Sequence, residues 1–447
     1  MITNNATLRV SASIALSALG LALACSAPIR YSSPGMKNDY GNGVAVNPAT
    51  GDVYVASSTY NNAIRQNDMF LIKYNAAGVV QWGRFFGTNG NDAATEVIFA
   101  NNGIYVTGYV QPGADKNTAL LHYDQAGVLL QFRVSALPGD DVGHVLQRDA
   151  GGGIYVGGTS TNPGTGLDFQ INKFTGGLVP IWGRTWGIAG PDQLVAMVYH
   201  PVSGLFAAGS RTTGGGTTDG AVIRLNPATG GLVNARLFPG FAGKDDVCTD
   251  ITTDVAGIPF MTMTQSLPGA LDTQVTTHRL TPALATTWAY AFNAVAGMPD
   301  QSAKVRVGPT TVVVAGSSFG VSGANFDYAV HGINPVTGAL LAGWPTFYNN
   351  GGNDRITDLA LNPGVAIFVT GISVGAGGTD DYATVNVNPG GIGWATRYHN
   401  FAGDQPAKMA FGPAFSSVYV TGTSADAVTG LDIATGKYHP ITGANVW

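Results

Sequence analysis

The chain has 447 residues, with 22 Lys and Arg against 27 Asp and Glu, and a formal net charge of −5. Only 11% of residues are charged, but 45% are hydrophobic, which is enough for a core and excludes a disordered chain. The small number of basic residues excludes a nucleic-acid partner, which requires a dense Lys/Arg footprint. Two cysteines, Cys25 and Cys248, exclude a disulfide framework and a Cys-based zinc cluster.

The N-terminal segment is typical of an export signal. An uncharged apolar run over residues 10–24 follows the single positive charge of Arg9. A run of about 15 residues suits the core of a signal peptide and is short of the roughly 20 that cross a membrane. We therefore predict a signal peptide over residues 1–24 and an exported body over residues 25–447.

The end of this run leaves two kinds of processing open. Residues 21–25, Leu-Ala-Leu-Ala-Cys, resemble the lipobox of bacterial lipoproteins, in which the cysteine is acylated and becomes the first mature residue. The same stretch also fits a simple Ala-x-Ala cleavage site at Ala22–Ala24. The first interpretation predicts lipid attachment at Cys25 and an outer-membrane or cell-surface lipoprotein. The second predicts a periplasmic or secreted protein.

Beyond residue 36 the chain repeats. An aspartate precedes an apolar alternation at successive spacings of 53, 49, 51, 54, 54, 54 and 50 residues. Self-similarity at a period of about 50 residues indicates a propeller, solenoid or array. The repeated aspartates are Asp39, Asp92, Asp141, Asp192, Asp246, Asp300, Asp354 and Asp404.

Each unit is predicted to contain four short strands. A second segment ends in glycine and a small hydroxyl residue, as in residues 105–108, Tyr-Val-Thr-Gly. A third follows an aspartate, as in residues 68–74, and a fourth is rich in Trp and Arg, as in residues 82–85. Gly, Asn, Asp and Pro turns separate them. Four antiparallel strands in about 50 residues form one propeller blade. The fold class is therefore all-β, a single eight-bladed β-propeller.

The two ends of the chain are predicted to complete one blade together. The last unit stops at Trp447, which aligns with Trp394 in the middle of a fourth strand, so the Arg-aromatic piece after it is missing. Residues 29–35 match residues 396–403, which supply that piece in the preceding unit. We expect residues 28–36 to close the last blade and remove an unpaired edge. Blade units begin near residues 37, 91, 140, 191, 244, 298, 353 and 404.

The combination of these segments resembles the bacterial SBBP β-propeller repeat family. The aspartate-led strand, the Tyr-Val-Thr-Gly-x-Ser segment, the Asp-x-x-Leu-x-Lys-Tyr strand and the Gly-x-x-x-Trp turn carry the resemblance over nearly all of residues 37–447. Residues 206–209 and 260–263 depart most, since they replace Tyr-Val-Thr-Gly. The resemblance implies an exported, often surface-associated propeller and supplies no common reaction or catalytic residue.

The repeated aspartates and tryptophans favour structural roles. An aspartate that recurs in every unit is expected to accept hydrogen bonds from backbone N–H groups at a turn and so to set where the strand begins. A ring of metal-binding or catalytic aspartates is the less favoured interpretation. Six of the seven tryptophans recur at or near one position, which indicates packing between blades. No metal site or cofactor is predicted. Only residues 375–381, which resemble calcium-binding Gly-Asp repeats without their tandem spacing, leave calcium open.

The position four residues after each repeated aspartate differs most between units. The residue that follows it is uniformly apolar, so the variable side chain points away from the hydrophobic layer on what should be the innermost strand. In units five to eight this position alternates between acidic and basic. These side chains form either neutralising ion pairs near the channel or a polar ligand site. The candidate residues are Glu96, Asp250, Lys304, Asp358 and Lys408.

The sequence favours a non-enzymatic role, because no convergent catalytic set is present. The preferred hypothesis is an exported, lipid-anchored binding or interaction scaffold at the cell surface. Its expected partner is an extracellular protein or glycan, its expected state is a monomer, and it contacts the membrane only through the lipid. One alternative is an extracytoplasmic carbohydrate-active enzyme with carboxylates at the channel mouth. The other is a structural surface component. Propellers serve all of these roles, so the fold does not choose between them.

Overall fold

The computed structural model describes residues 27–33, 38–61, 66–135, 137–269, 271–362, 366–375, 378–400 and 403–447. These residues form 32 strands and one 3₁₀ turn, Pro413–Phe415. No helix in this part of the chain is long and apolar enough to cross a membrane. Cys25 and the predicted signal peptide lie outside the described residues.

Eight four-stranded antiparallel sheets form eight blades, as the sequence predicts. The strands of blades one to four are β2 Tyr40–Val46, β3 Val53–Asn61, β4 Gln66–Tyr74, β5 Val80–Phe86; β6 Ala93–Ala100, β7 Gly103–Val110, β8 Asn117–Tyr123, β9 Leu129–Ser135; β10 Asp141–Arg148, β11 Ile154–Asn162, β12 Gly166–Phe174, β13 Pro180–Trp186; β14 Gln193–His200, β15 Gly204–Thr212, β16 Thr218–Leu225 and β17 Leu232–Phe238.

The remaining strands continue the same order. Those of blades five to eight are β18 Asp246–Thr253, β19 Pro259–Ser266, β20 Thr273–Leu280, β21 Thr286–Phe292; β22 Asp300–Val307, β23 Val312–Phe319, β24 Phe326–Ile333, β25 Thr346–Tyr348; β26 Asp354–Asn362, β27 Ala366–Val374, β28 Asp380–Asn388, β29 Gly391–Tyr398; β30 Gln405–Phe411, β31 Val418–Asp426 and β32 Gly430–Tyr438. The first strands of neighbouring blades face each other around the axis, and the fourth strands lie outside.

The N-terminal strand β1, Ile29–Tyr31, closes the last blade as expected. It pairs antiparallel with β32, with Arg30 opposite Ala434, so blade eight has the sheet order β1-β32-β31-β30. Arg30 also forms ion pairs with Asp426 and Asp432. In blade seven Arg397, which occupies the same place, pairs with Asp381. The N-terminal segment therefore reproduces the side-chain chemistry of a fourth strand as well as its backbone pairing.

Tryptophan and glycine lock neighbouring blades together. Trp82 donates its indole N–H to the carbonyl of Gln125 in the next blade, at 3.2 Å. Its ring lies against Gly127, whose φ of +80° and close ring contact leave no room for a Cβ. The same pairing occurs at four further boundaries, including the one that joins blade eight to blade one: Trp182 with Gly230, Trp288 with Gly338, Trp394 with Gly443, and Trp447 with Gly78.

The hydrophobic core lies between the blades. One cluster joins Tyr54 of blade one to Val97, Ile104 and Leu121 of blade two. Alternation along each strand places such residues on both faces of a blade, and the next blade covers each face. The buried hydrophobic residues accordingly form eight clusters, one at each boundary between neighbouring blades.

Blades five and six place histidines where most other blades have aliphatic residues. His331 is 1% exposed and lies 3.1 Å from the Tyr290 hydroxyl through Nδ1. Burial lowers the pKa of His331 to about 3 and that of His278 to about 4. Below pH 6.5 the unfolded chain therefore binds protons that the folded chain does not, so these histidines remove stability as the pH falls.

Leu121 occupies the equivalent position in blade two. Replacement of His331 by leucine should therefore remove the loss of stability at low pH. We compare the free energy of unfolding of His331→Leu with that of the parent protein at each pH. The variant's advantage over the parent is expected to be about 2 kcal/mol larger at pH 5 than at pH 8. Urea unfolding at the two pH values measures this difference. Tyr290→Phe, which removes only the hydrogen bond, is the control and should show no such pH dependence. An equal effect of His331→Leu at both pH values would contradict a neutral buried imidazole.

Candidate functional site in the central channel

A β-bulge occurs at the same place in all eight inner strands, where one residue is left out of the pairing with the second strand. The bulged residues are Asn42, Thr95, His144, Val195, Thr249, Ala303, Thr357 and Ala407. A bulge re-aims the side chains around it. Several bulged residues contact the next blade: Asn42 donates to the carbonyl of Ala94 at 2.7 Å, and Thr249 lies 2.7 Å from the Ser302 hydroxyl. The bulge thus both shapes the channel wall and joins adjacent blades.

The eight repeated aspartates lie at the start of the inner strands and are fully buried. Asp246 is representative: its carboxylate accepts the N–H of Gly240, at 2.6 Å, and the N–H of Ser266, at 2.9 Å. It therefore ties the loop that enters the blade to the end of the second strand. Burial raises the pKa of these carboxyls, to about 7 for Asp39 and about 6 for Asp300 and Asp354.

The acidic side chains predicted for the channel in blades five and seven form hydrogen bonds to the next blade. Asp250 accepts the N–H of Val305 at 3.0 Å, and its Oδ2 lies 2.6 Å from Nη1 of Arg306. Asp358 accepts the N–H of Met409 at 2.9 Å, across the corresponding boundary. Burial alone would raise the pKa of Asp250, but Arg306, Lys304 and the Val305 N–H together hold that pKa below its usual value.

The other three predicted residues point into the same space without close pairing. Glu96, Lys304 and Lys408 are half-buried, and none has an ion-pair partner within 4.0 Å among the described residues. Burial raises the pKa of Glu96, against the effect of Lys408 and Lys304. The pKa of Lys408 is raised chiefly by Glu96, and burial acts in the opposite direction.

Glycine in blade one opens the space between these charges. A Cβ on Gly43 would lie 3.2 Å from the Cα of Glu96, so the strand approaches its neighbour closely there. Because Gly43 carries no side chain, Glu96 of blade two and Lys408 of blade eight influence each other across blade one. The structure thus places the five predicted residues around one channel, although it pairs them differently from the adjacent-blade alternation.

Arg306 is the channel residue that the sequence reasoning missed. It is the ion-pair partner of Asp250 and also lies 4.0 Å from Asp358, so it joins blades five, six and seven. Burial would lower the pKa of Arg306, but the two aspartates raise it. The sequence does indicate its position, because Arg306 stands two residues after Lys304 and the alternation of side chains along a strand puts both on the same face. With Arg306, the described residues of the channel include three acidic and three basic side chains.

The opposite wall of the channel is mostly apolar. Blades three and four contribute Val145 and Ala196 at the position that is charged elsewhere. A pocket of about 390 Å³ opens between these blades, lined by His144, Thr159, Gln193, Leu194 and Val195. His144 lies 3.2 Å from the Thr159 hydroxyl, and burial lowers its pKa, which favours the neutral imidazole. The channel mouth is therefore amphipathic, with one charged wall and one apolar wall.

Two other groups of chemical interest are occupied by protein contacts. Cys248 is fully buried against the sulfur of Met261, and burial raises the pKa of its thiol to about 12, so it is no nucleophile. Among the described residues, one set of three potential metal ligands occurs, formed by Asp381, His399 and Asp404. The guanidinium of Arg397 pairs with Asp381 there, which places a positive charge where a cation would bind.

Comparisons with solved structures indicate the fold and nothing finer. The chain resembles Sqt1 from Chaetomium thermophilum (TM-score 0.54, 11% identity, covering 89% of this chain and 95% of that one) and the Dos1 propeller (0.50, 11%, 89% and 93%). It also resembles an ulvan lyase of polysaccharide lyase family PL25 (0.50, 11%, 91% and 96%). No protein-family model matches the sequence, and neither does any curated protein. The chain is therefore a β-propeller, and at this level of identity the likeness shows the fold alone.

Proposed function

We propose that this protein is an exported, non-enzymatic binding scaffold of the SBBP type, anchored to the membrane through an acylated Cys25. One observation carries the non-enzymatic part: two of the three channel carboxylates, Asp250 and Asp358, are used as contacts between blades, which leaves Glu96 as the one carboxylate among the described channel residues without such a contact. Asp250 and Asp358 each accept a backbone N–H of the next blade, and Asp250 also pairs with Arg306. A general acid or base needs a carboxyl that is free to exchange a proton with a substrate.

The amphipathic channel mouth supports a role in binding. Its 390 Å³ pocket lies within the usual range of ligand pockets, about 300–1,000 Å³, and combines apolar walls with a few polar groups. His144 and Gln193 supply the polar groups at the rim. The alternative of a carbohydrate-active enzyme would depend on Glu96, because the described residues that line the pocket include no carboxyl, and Asp250 and Asp358 are bonded to the next blade.

Processing of the N-terminus tests the export and the anchor. Expressed with its full N-terminus in a Gram-negative bacterium, the protein should incorporate an alkyne-tagged fatty acid and fractionate with membranes. Cys25→Ser should abolish both the label and the membrane association, while Cys248→Ser, the matched cysteine control, should keep them. An unlabelled soluble chain that begins after Ala24 would contradict the anchor but keep the export. An intact, unprocessed N-terminus would contradict both.

A further inference from the structure

A second pocket lies on the same face of the ring as the channel mouth, on blade four. It has a volume of about 310 Å³ and opens between the loop that joins β15 to β16 and the loop that joins β17 to β18. Its polar lining residues include Thr213, Thr217, Asp219 and Lys244, and the amine of Lys244 donates to the carbonyl of Gly269 at 3.1 Å. Phe241 lines it as well and is 46% exposed.

Asp219 differs from its counterparts in the other blades. This aspartate stands near the start of the third strand, and its equivalents bind side-chain donors: Asp68 accepts from Asn61, Asp168 from Asn162, and Asp327 from Ser322. The carboxylate of Asp219 accepts no hydrogen bond and forms no ion pair with any residue that the structure describes, although its backbone pairs with Arg211 in the sheet. Burial raises its pKa, as expected for a carboxyl that is partly withdrawn from water without a partner.

Two substitutions in blade four leave this carboxylate free. Thr213 stands where Asn61 and Asn162 stand in blades one and three, and its hydroxyl lies 3.1 Å from that of Thr217 instead. Pro239 stands where His399 contacts Asp381 in blade seven, and proline offers no donor. Behind the pocket, the carboxylate of Asp246 is already engaged by the N–H groups of Gly240 and Ser266. Asp219 therefore faces the pocket with its full capacity to accept hydrogen bonds.

We propose that this pocket binds one neutral sugar ring of an extracytoplasmic glycan. The inference rests on the proposed binding function and names its ligand class. Asp219 would accept two vicinal sugar hydroxyls, which gives charge-assisted hydrogen bonds. Thr213 and Thr217 would donate to or accept from further hydroxyls, and Phe241 would cover the apolar face of the ring. A cation fits less well, because the pocket offers a single free carboxylate and Lys244 lines it.

Binding is tested with purified protein that begins at Ala27, titrated with laminaritriose, cellotriose and mannotriose by saturation-transfer NMR and calorimetry. At least one trisaccharide should bind, and Asp219→Asn should weaken it by about tenfold or more. Because Asp219 has no protein partner, this variant should melt no lower than the parent. Asp245→Asn is the matched control, since it removes one neighbouring charge outside the pocket and keeps the acceptor for the N–H of Thr218.

Blocking the pocket gives an independent readout. Gly215 lines the pocket, and the nearest atom to a Cβ added there is the Thr213 hydroxyl, at 3.9 Å. Gly215→Phe should therefore abolish sugar binding without loss of stability. Binding that survives both Asp219→Asn and Gly215→Phe would overturn the site, as would no binding of any trisaccharide. Stabilisation of the parent, but not of Asp219→Asn, by calcium alone would also overturn it in favour of a cation site. None of these outcomes bears on the export test with Cys25.

Discussion

A chain that begins at Asn38, and so lacks strand β1, is expected to melt about 5–9 °C below a chain that begins at Ala27. Strand β1 is short, but its removal exposes the edge of β32 and opens the ring. Tyr31 is 3% exposed and stacks on Phe70 of blade one, with ring centres 4.8 Å apart. Loss of that burial alone costs about 2 kcal/mol.

The charged groups that contact β1 increase the loss of stability when this strand is removed. Arg30 pairs with Asp432, which is nearly fully buried, and an unpaired buried carboxylate is strongly destabilising. Ser33 donates its N–H to Asp39 at 2.6 Å, so the first repeated aspartate also loses a partner. Together with the burial of Tyr31, these losses amount to about 4–8 kcal/mol.

Differential scanning calorimetry of the two chains measures this effect. A synthetic peptide of residues 27–37, added to the shortened chain, should restore most of the lost melting temperature. A peptide of the same residues in scrambled order is the control, and it should restore none of that temperature. Equal melting of the two chains would mean that other contacts close the ring, such as the Trp447 indole donating to the carbonyl of Ala76.

Replacement of Asp250 by asparagine should lower the free energy of unfolding by about 2–4 kcal/mol at pH 7. The isosteric amide can still accept the N–H of Val305, but Arg306 and Lys304 lose the charge that balances them. The lower part of the range is expected, because the side chain of Arg306 is 35% exposed and solvent screens part of the interaction. Asp245→Asn, on the exposed loop before the same strand, is the control and should change stability by less than about 0.5 kcal/mol.

The pH dependence of this loss has a definite sign. The pKa of Asp250 in the folded protein lies below its unfolded value, so its charge stabilises the fold above pH 3.8. That contribution disappears as the pH falls through the folded pKa. The difference between the parent and Asp250→Asn should therefore shrink below pH 4. A difference that grows on acidification would show that Asp250 is protonated in the folded protein and is no ion-pair partner.

The sign of the stability change also separates a structural from a catalytic role. Catalytic carboxyls are often held in strained or like-charged surroundings, so their replacement commonly leaves stability unchanged or raises it. If Asp250→Asn stabilises the protein, the channel carboxylates are better read as an active site. A loss of stability without loss of trisaccharide binding supports a scaffold with its ligand site elsewhere.

Most of the fold could be predicted from the sequence because it repeats. A strand pattern that recurs eight times averages out the ambiguity of each copy, and Arg30 and Tyr31 aligned with Arg397 and Tyr398 well enough to place β1. The ion pairs between the charged side chains of the channel were harder to predict from the sequence. The Asp250–Arg306 pair crosses from one strand to another, and its geometry depends on the bulges at Thr249 and Ala303, which no alternation of residue types reveals.

The blade-four pocket could not be predicted for a different reason. Asp219 fits the repeat as well as Asp68 or Asp168, so its sequence position indicates a structural role. Its special feature is the lack of a partner, which depends on the short side chain of Thr213 and on Pro239. Such a feature becomes visible only when the equivalent contacts of several blades are compared in three dimensions.

The coupling between Asp250 and Arg306 tests most directly whether the channel charges hold neighbouring blades together. Urea unfolding at pH 7 of the parent, Asp250→Asn, Arg306→Met and the double variant gives this coupling free energy. We expect a coupling of about 1–3 kcal/mol, with the double variant more stable than the sum of the two single losses implies. Strictly additive losses would contradict a stabilising ion pair between blades five and six.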